Sequence, residues 1–183
     1  MRPSLAVAAL FAAGVVTAAP APLREDYEKK AKEAPWLWSD EGATPEGAAK
    51  RLPAGYRAEV EKRDSWGGAV IHVVKDGNVV HYFDGHLRTV FAVRDDVLYY
   101  ADYHPSSSGC AVMAYDLRRK KQLWKTHLKG LGGVDHSKYH NAVNLDLEKY
   151  AVCVRGKESF GNYIEYVDPR TGKTVGHKVY PRK

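Results

Sequence analysis

Cysteine is scarce: Cys110 and Cys153 are the only two in a chain of 183 residues. They stand far apart and lack the closely paired spacing that signals a zinc site. No cysteine follows the N-terminal apolar run, so a lipid-modified N-terminus is not indicated. Beyond Val16 there are no long apolar runs, and no downstream segment reaches the roughly 20 residues that a membrane-spanning helix needs. No Ser-His-Asp or Cys-His arrangement is recognisable either. Pro105-Ser106-Ser107-Ser108-Gly109 has loop composition, not that of the strained turn that exposes a catalytic serine. Nor is charge of one sign in large excess. The net charge of +6 favours solubility and weak attraction to polyanions, without amounting to a nucleic-acid footprint.

What the sequence does contain begins with a leader. Arg2 precedes an uncharged apolar run from Leu5 to Val16, and small residues follow. This is the layout of a secretory signal peptide, and Val16 and Ala18 place cleavage after Ala18. Residues 1–18 are therefore expected to be removed and the protein to be secreted or periplasmic, with no membrane insertion afterwards. The remaining chain of about 165 residues buries roughly 70% of its unfolded surface, enough for one ordinary core. In an oxidising compartment Cys110 and Cys153 can pair if their Cα atoms come within about 7 Å. The other reading is two separately buried thiols.

Residues 19–55 form a lead-in unlike the rest. Glu25/Lys29, Glu28/Lys32 and Asp26/Lys30 stand four apart, which predicts a solvated, loosely packed helix ending at Pro35. Trp36 and Trp38 are expected to dock on the main body. Thr44-Pro45 opens a second helix, with threonine as N-cap and proline at the first helical position. Pro53-Ala54-Gly55 then turns the chain into the strand Tyr56–Lys62.

Residues 56–183 carry a β pattern. Asp76-Gly77 and Asp95-Asp96 are hairpin turns between strands rich in Val, Ile and Tyr. Gly109 and Asp116 correspond to Gly161 and Asp168, each 52 positions on. Val97 and Tyr150 begin matching strands 53 apart. The sequence therefore divides into a partial unit, 56–87, and two full units, 88–130 and 141–183, each of four short antiparallel strands. Four strands repeating about every 50 residues is the pattern of propeller blades. Segments apolar on both faces, such as Val97-Leu98-Tyr99-Tyr100-Ala101, suit sheets stacked face to face. The predicted fold is all-β: stacked four-stranded antiparallel, propeller-blade-like sheets with a short helical N-terminal segment.

At Ala114-Tyr115-Asp116 through Leu123-Trp124 the chain resembles the blades of quinoprotein-like (PQQ-like) β-propellers. Their repeat reads Ala-hydrophobic-Asp, a Thr-Gly-Lys turn, then an apolar residue and Trp. The first unit keeps Ala114, Asp116, Leu123 and Trp124 but has Arg119-Lys120 in the turn. The second keeps Asp168 and Thr171-Gly172-Lys173 but has Gly176 where the Trp would stand. The resemblance covers about half the chain and implies architecture. A quinone site would bring a full bowl of blades, an acidic calcium site and often adjacent cysteines. None is recognisable, so no catalytic residues are assigned and the cofactor is left unknown. Closed propellers take four to eight blades; three units make an open stack whose flanks must be covered. The Trp36/Trp38 segment is expected to cover one flank and a second copy of the chain the other.

Three groups of side chains are candidate sites. Asp135, His136 and His140 in the Gly-rich connection offer carboxylate and imidazole ligands to a transition metal. Their bare H-x-x-x-H spacing lacks the glutamate of zinc-protease helices, and the preferred reading is structural, with these residues organising the crossover. Arg118, Arg119, Lys120 and Lys121 form a basic hairpin tip that could grip acidic polymers; the preferred reading is a solvated tip that discourages edge pairing. Trp124, Tyr99, Tyr100, Tyr115, Tyr163 and Tyr166 are read as inter-sheet core before sugar platform. His72 and His81 share one hairpin and could be cross-strand neighbours. The functional expectation is an exported binding or protein-interaction module, with a protein or extracellular polymer as partner and no nucleic acid. The alternatives are a metal-dependent hydrolase using Asp135, His136 and His140, or a polyanion or cell-wall polysaccharide binder using the basic tip.

Overall fold

The computed structural model describes residues 26–63, 67–86, 88–103, 110–129, 142–157 and 161–180. The leader 1–18 lies outside these residues. Among the described residues no helix is long and apolar enough to cross a membrane.

The chain is mostly β, as expected, in three antiparallel sheets that do not close into a barrel. Sheet A is β1 (Tyr56–Lys62), β2 (Gly68–Lys75) and β3 (Asn78–His86) in that order. Sheet B runs β4 (Val90–Arg94), β5 (Val97–Tyr103), β6 (Cys110–Asp116) and β7 (Lys121–His127). Sheet C runs β8 (Ala142–Leu147), β9 (Val152–Lys157), β10 (Asn162–Val167) and β11 (Thr174–Tyr180). Each strand pairs with its chain neighbour, so the hairpin turns set the register. At Asp95-Asp96 both turn residues take positive φ, 53° and 60°, the twist that a two-residue hairpin needs.

The alternation of side chains explains the stacking. On β4 and β5, Val90, Tyr99 and Ala101 face one way and join Val143, Leu145, Val152, Val154, Tyr163 and Val167 of sheet C. Phe91, Val93 and Leu98 face the other way and join Ile71, Val73 and Phe83 of sheet A. Sheet B is thus buried on both faces, and the layers follow the order A, B, C. Each fully buried Val, Leu or Ile contributes roughly 1.5–3 kcal/mol, against about 0–1 kcal/mol for an exposed ion pair. The two apolar seams therefore hold the stack, and the surface charges tune it.

Polar links fasten the seams at their rims. Trp124 of sheet B donates from Nε1 to Pro169 O at 2.9 Å, and Thr126 Oγ1 donates to Gly172 O. Gly172 has φ of +71°, and a Cβ there would stand 2.8 Å from the Trp124 ring, so glycine meets both demands. Between A and B, Asp96 accepts from Tyr56 Oη and from Lys75 Nζ, the latter at 2.6 Å. Hydrogen bonding to Lys75 and Tyr56 holds the Asp96 carboxyl below its ordinary range.

Sheets B and C share local chemistry at equivalent positions. Asp116 Oδ1 accepts from the backbone N–H of Arg118 and Arg119 at 3.0 and 2.8 Å. Fifty-two positions on, Asp168 Oδ1 accepts from Arg170 N at 2.8 Å. A bulge follows Ala114 in one sheet and Tyr166 in the other, again 52 apart. Burial alone would raise the Asp168 pKa, but the Arg170 hydrogen bonds and charge outweigh it and keep the carboxyl below its usual range.

The lead-in departs from expectation. Helix α1 (Tyr27–Glu33) shows the expected i,i+4 pair of Lys32 with Glu28, at 3.1 Å. It is not loosely packed, however. Tyr27 and Ala31, also four apart, are buried against Ala151, Cys153, Ile164 and Tyr166 on the outer face of sheet C. Lys30 pairs with Glu148 at 2.5 Å instead of with Asp26, whose side chain caps the helix at Lys29 N. Trp36 lies against Tyr180 and stacks on Trp38, 5.7 Å between centroids, so the tryptophans do dock on the body. Helix α2 (Pro45–Ala49) has Thr44 as its N-cap, as read. Its Ala48 joins the A–B seam.

His72 and His81 do not meet. His72 pairs with Tyr82 on the outer face of sheet A, whereas His81 pairs with Val73 and stacks on Tyr115 at 3.8 Å in the A–B seam. They stand at adjacent registers, and adjacent registers point to opposite faces of the sheet. Burial lowers the His81 pKa, so the native ring is held neutral while the unfolded chain protonates near pH 6.5. The stability this withholds from the protonated form is fully present above about pH 6.5 and is lost as the pH falls below it. Urea midpoints should therefore decline between pH about 6.5 and 5 more steeply in wild type than in His81→Phe, by less than the limiting ~1.4 kcal/mol per unit because the ring is only half-buried. Parallel declines in both proteins would count against a neutral ring.

Candidate functional site

The polar feature that stands out lies where the lead-in crosses sheet C. On β8, Val143 and Leu145 face sheet B, so Asn144 and Asp146 face outward. On β9, Arg155 is the cross-strand partner of Asn144 and shares that face. Helix α1 covers the β10–β11 side of this face. The β8–β9 side is roofed by residues 37–51, including the single turn Glu41–Ala43 and α2. Between roof and sheet lies a cleft of about 480 Å³ lined by Leu37, Trp38, Lys50, Arg51, Asn144, Asp146 and Arg155, among others.

Asp146 organises the basic groups. Its Oδ1 accepts from Arg51 at 3.0 Å and its Oδ2 from Arg155 at 2.5 Å. Arg51 also donates to Gly42 O at 3.2 Å, a bond within the roof that fixes the Arg51 side chain. Trp38 is held by stacking on Trp36 and by its Nε1 donating to Asp40 at 2.7 Å. Asn144, 5% exposed, donates from Nδ2 to Ser39 O at 2.7 Å, which orients the amide. That leaves Asn144 Oδ1 buried without a partner, and Arg155 Nε is buried and unpartnered as well. Buried polar groups are paired in the great majority of proteins, and each exception costs about 1–3 kcal/mol. Two such atoms on facing residues of one strand pair mark a site with unused bonding capacity.

The residues singled out from sequence lie elsewhere. Asp135, His136 and His140 fall outside the described residues. Among the described residues no group of three His, Cys, Asp or Glu side chains is placed to hold a metal. Arg118, Arg119, Lys120 and Lys121 do form an exposed hairpin tip. Arg119 is drawn to Asp116 at 3.7 Å and Arg118 to Asp96 at 4.0 Å. Cys153 is a buried free thiol in the contact between α1 and sheet C, and burial pushes its pKa up to about 12, so it is not poised as a nucleophile. The side chain of Cys110, and with it the proposed pairing, lies outside the described residues. Tyr99 and Tyr163 are buried between sheets B and C, as read, whereas Tyr166 is buried under α1 on the outer face of sheet C.

Sequence reasoning read Trp38 only as a docking residue and passed over Arg51, Asn144, Asp146 and Arg155. The available signal was the polar alternation in Ala142–Leu147, where Asn144 and Asp146 interrupt an apolar strand on one face only. Compared with known proteins, the chain matches no family model and no curated protein.

Proposed function

We propose that this chain is an exported binding module whose small, polar ligand occupies the cleft between the lead-in and β8–β9. Export is supported by the Arg2 and Leu5–Val16 leader pattern and the Val16-x-Ala18 cleavage signal. Kinship with propeller blades is supported by the duplicated aspartate turns at Asp116 and Asp168. The observation that carries the binding reading is the pair of unpartnered buried atoms, Asn144 Oδ1 and Arg155 Nε, on two residues that line a cleft rimmed by Lys50 and Arg51. Both atoms are closed off from solvent, Asn144 Oδ1 against Gly42, so a ligand reaches Asn144 only when the Glu41–Ala43 turn moves away from β8. That movement has to release Asn144 from Ser39 O, Arg51 from Asp146 and Lys157 from Asp40, and to uncover the buried Gly42 and Ala43.

Native mass spectrometry of the protein isolated from its own exported fraction tests this. Wild type should carry a small-molecule adduct that Asn144→Leu and Arg155→Met lose, with affinity lowered at least about tenfold. An adduct-free wild type whose melting temperature is unmoved by sugars, carboxylates, nucleotides and amino acids would refute it.

A further inference from the structure

We infer that the ligand of this cleft is a hydroxylated monocarboxylate of sugar size, a uronate unit; the inference rests on the binding reading above and specifies its chemistry. The charge inventory comes first. Lys50, Arg51 and Arg155 bring three positive charges to the lining and Glu41 and Asp146 two negative ones, a surplus of one. A single carboxylate neutralises that surplus. A phosphate monoester, carrying nearly two charges, would not be matched, because Asp146 already occupies both guanidinium groups.

The unpartnered atoms specify the rest. Arg155 Nε–H is a charged donor and calls for an anionic acceptor. Asn144 Oδ1 is an acceptor and calls for a donor on the same ligand, close to the anionic group because Asn144 and Arg155 are directly paired across β8 and β9. That donor is a hydroxyl in preference to an ammonium, since an amino group would bring a second positive charge beside Arg155. A carboxylate with a neighbouring hydroxyl is the minimal match. Leu37 and Trp38 supply an apolar wall, stiffened by the Trp36 stack, for the C–H surface of a ring. The cleft of about 480 Å³ lies within the roughly 300–1,000 Å³ of small-molecule sites and has room for one pyranose. Its rim residues Lys50 and Glu41 are exposed, so a chain extending from the bound unit can pass into solvent.

NMR titration of the full mature chain tests this, reading the Trp38 indole and Asn144 amide signals. The probes are galacturonate, glucuronate, glucose, glucose 6-phosphate, glutamate and a galacturonate trimer. Either uronate should saturate these signals at least about tenfold more tightly than glucose, glucose 6-phosphate or glutamate. Arg155→Met should abolish the preference, and Arg51→Gln, at a more exposed position, should weaken it without threatening the fold. A trimer binding more tightly than the monomer identifies a polymer end as the source; equal binding identifies the free sugar acid. Equal affinity for glucose, glucose 6-phosphate or glutamate, or no response to either uronate at millimolar concentration, overturns the uronate assignment. A native adduct of non-acidic mass overturns it too, yet leaves the cleft standing as a binding site, so the two readings fail separately.

Discussion

Replacing Gly176 with tryptophan, the residue that the blade motif calls for at this position, is expected to cost at least about 3 kcal/mol and to detach helix α1. A Cβ at Gly176 would stand 2.1 Å from Tyr27 O and 2.5 Å from Tyr27 C, and these are backbone atoms that a rotamer change cannot clear. The helix would have to leave, exposing Ile164, Tyr166 and Cys153 and breaking the bonds from Lys178 to Lys32 O and from Tyr180 to Ala34 O. Gly176→Trp should therefore lower the urea midpoint and remove the hydrogen-exchange protection of Tyr27–Glu33, while sheets A and B keep theirs. Gly176→Ala should follow in the same direction by a smaller amount. A tryptophan variant as stable as wild type would mean that α1 does not pack there.

Trp124→Ala is the counterpart in the preceding sheet, with an expected loss of about 3 kcal/mol, the lower end for a large aromatic because the ring is half-buried. Here the motif residue is present, and its partner is the next unit. The ring rests on Gly172, faces Tyr99 at 6.0 Å and donates to Pro169 O. Truncation opens a cavity at the B–C seam and leaves that carbonyl without its donor. Trp124→Phe should recover most of the packing and not the hydrogen bond, falling about 1 kcal/mol short of wild type. A full-strength Trp124→Ala protein in denaturant titration would contradict a B–C seam locked at this corner.

These two positions show how far the sequence reaches. Gly176 and Trp124 stand 52 apart and occupy the same place in their units, yet one must be absent for α1 to lie down and the other must be present to meet the next sheet. The likeness of sheets B and C can be read from periodicity because both carry the same hydrogen-bonded turn and bulge. Its exceptions cannot, because they depend on what lies on the next layer. The three sheets, their hairpin turns and the two-faced burial of β5 were legible for that reason. The docking of α1 was not: Tyr27 and Ala31 form an apolar stripe only two residues wide in a helix otherwise charged. The cleft was hidden by sequence distance, since Arg51 and Asp146 meet across 95 positions. Asn144 and Asp146 signal a polar face, and nothing in their neighbourhood tells which segment roofs it.

Charge and packing divide the outer face of sheet C into two halves with different roles. Under α1 it is apolar, sealed by Tyr27 and Ala31, and its one thiol is pushed up to about 12 by burial. Under residues 37–51 it is polar, with one carboxylate shared between two arginines, Asn144 bonded to Ser39 O, and bonding capacity to spare. A roof needed only for stability would be better served by apolar residues at positions 144 and 155, since unpaired buried polar atoms cost free energy without return.

The most direct test is the electron density in this cleft in crystals of the protein taken from its natural source. Binding predicts a bound molecule larger than water, joining Arg155 Nε to Asn144 Oδ1, with the Glu41–Ala43 turn displaced from its closed position. A closed turn, with ordered water alone satisfying both atoms, would contradict it.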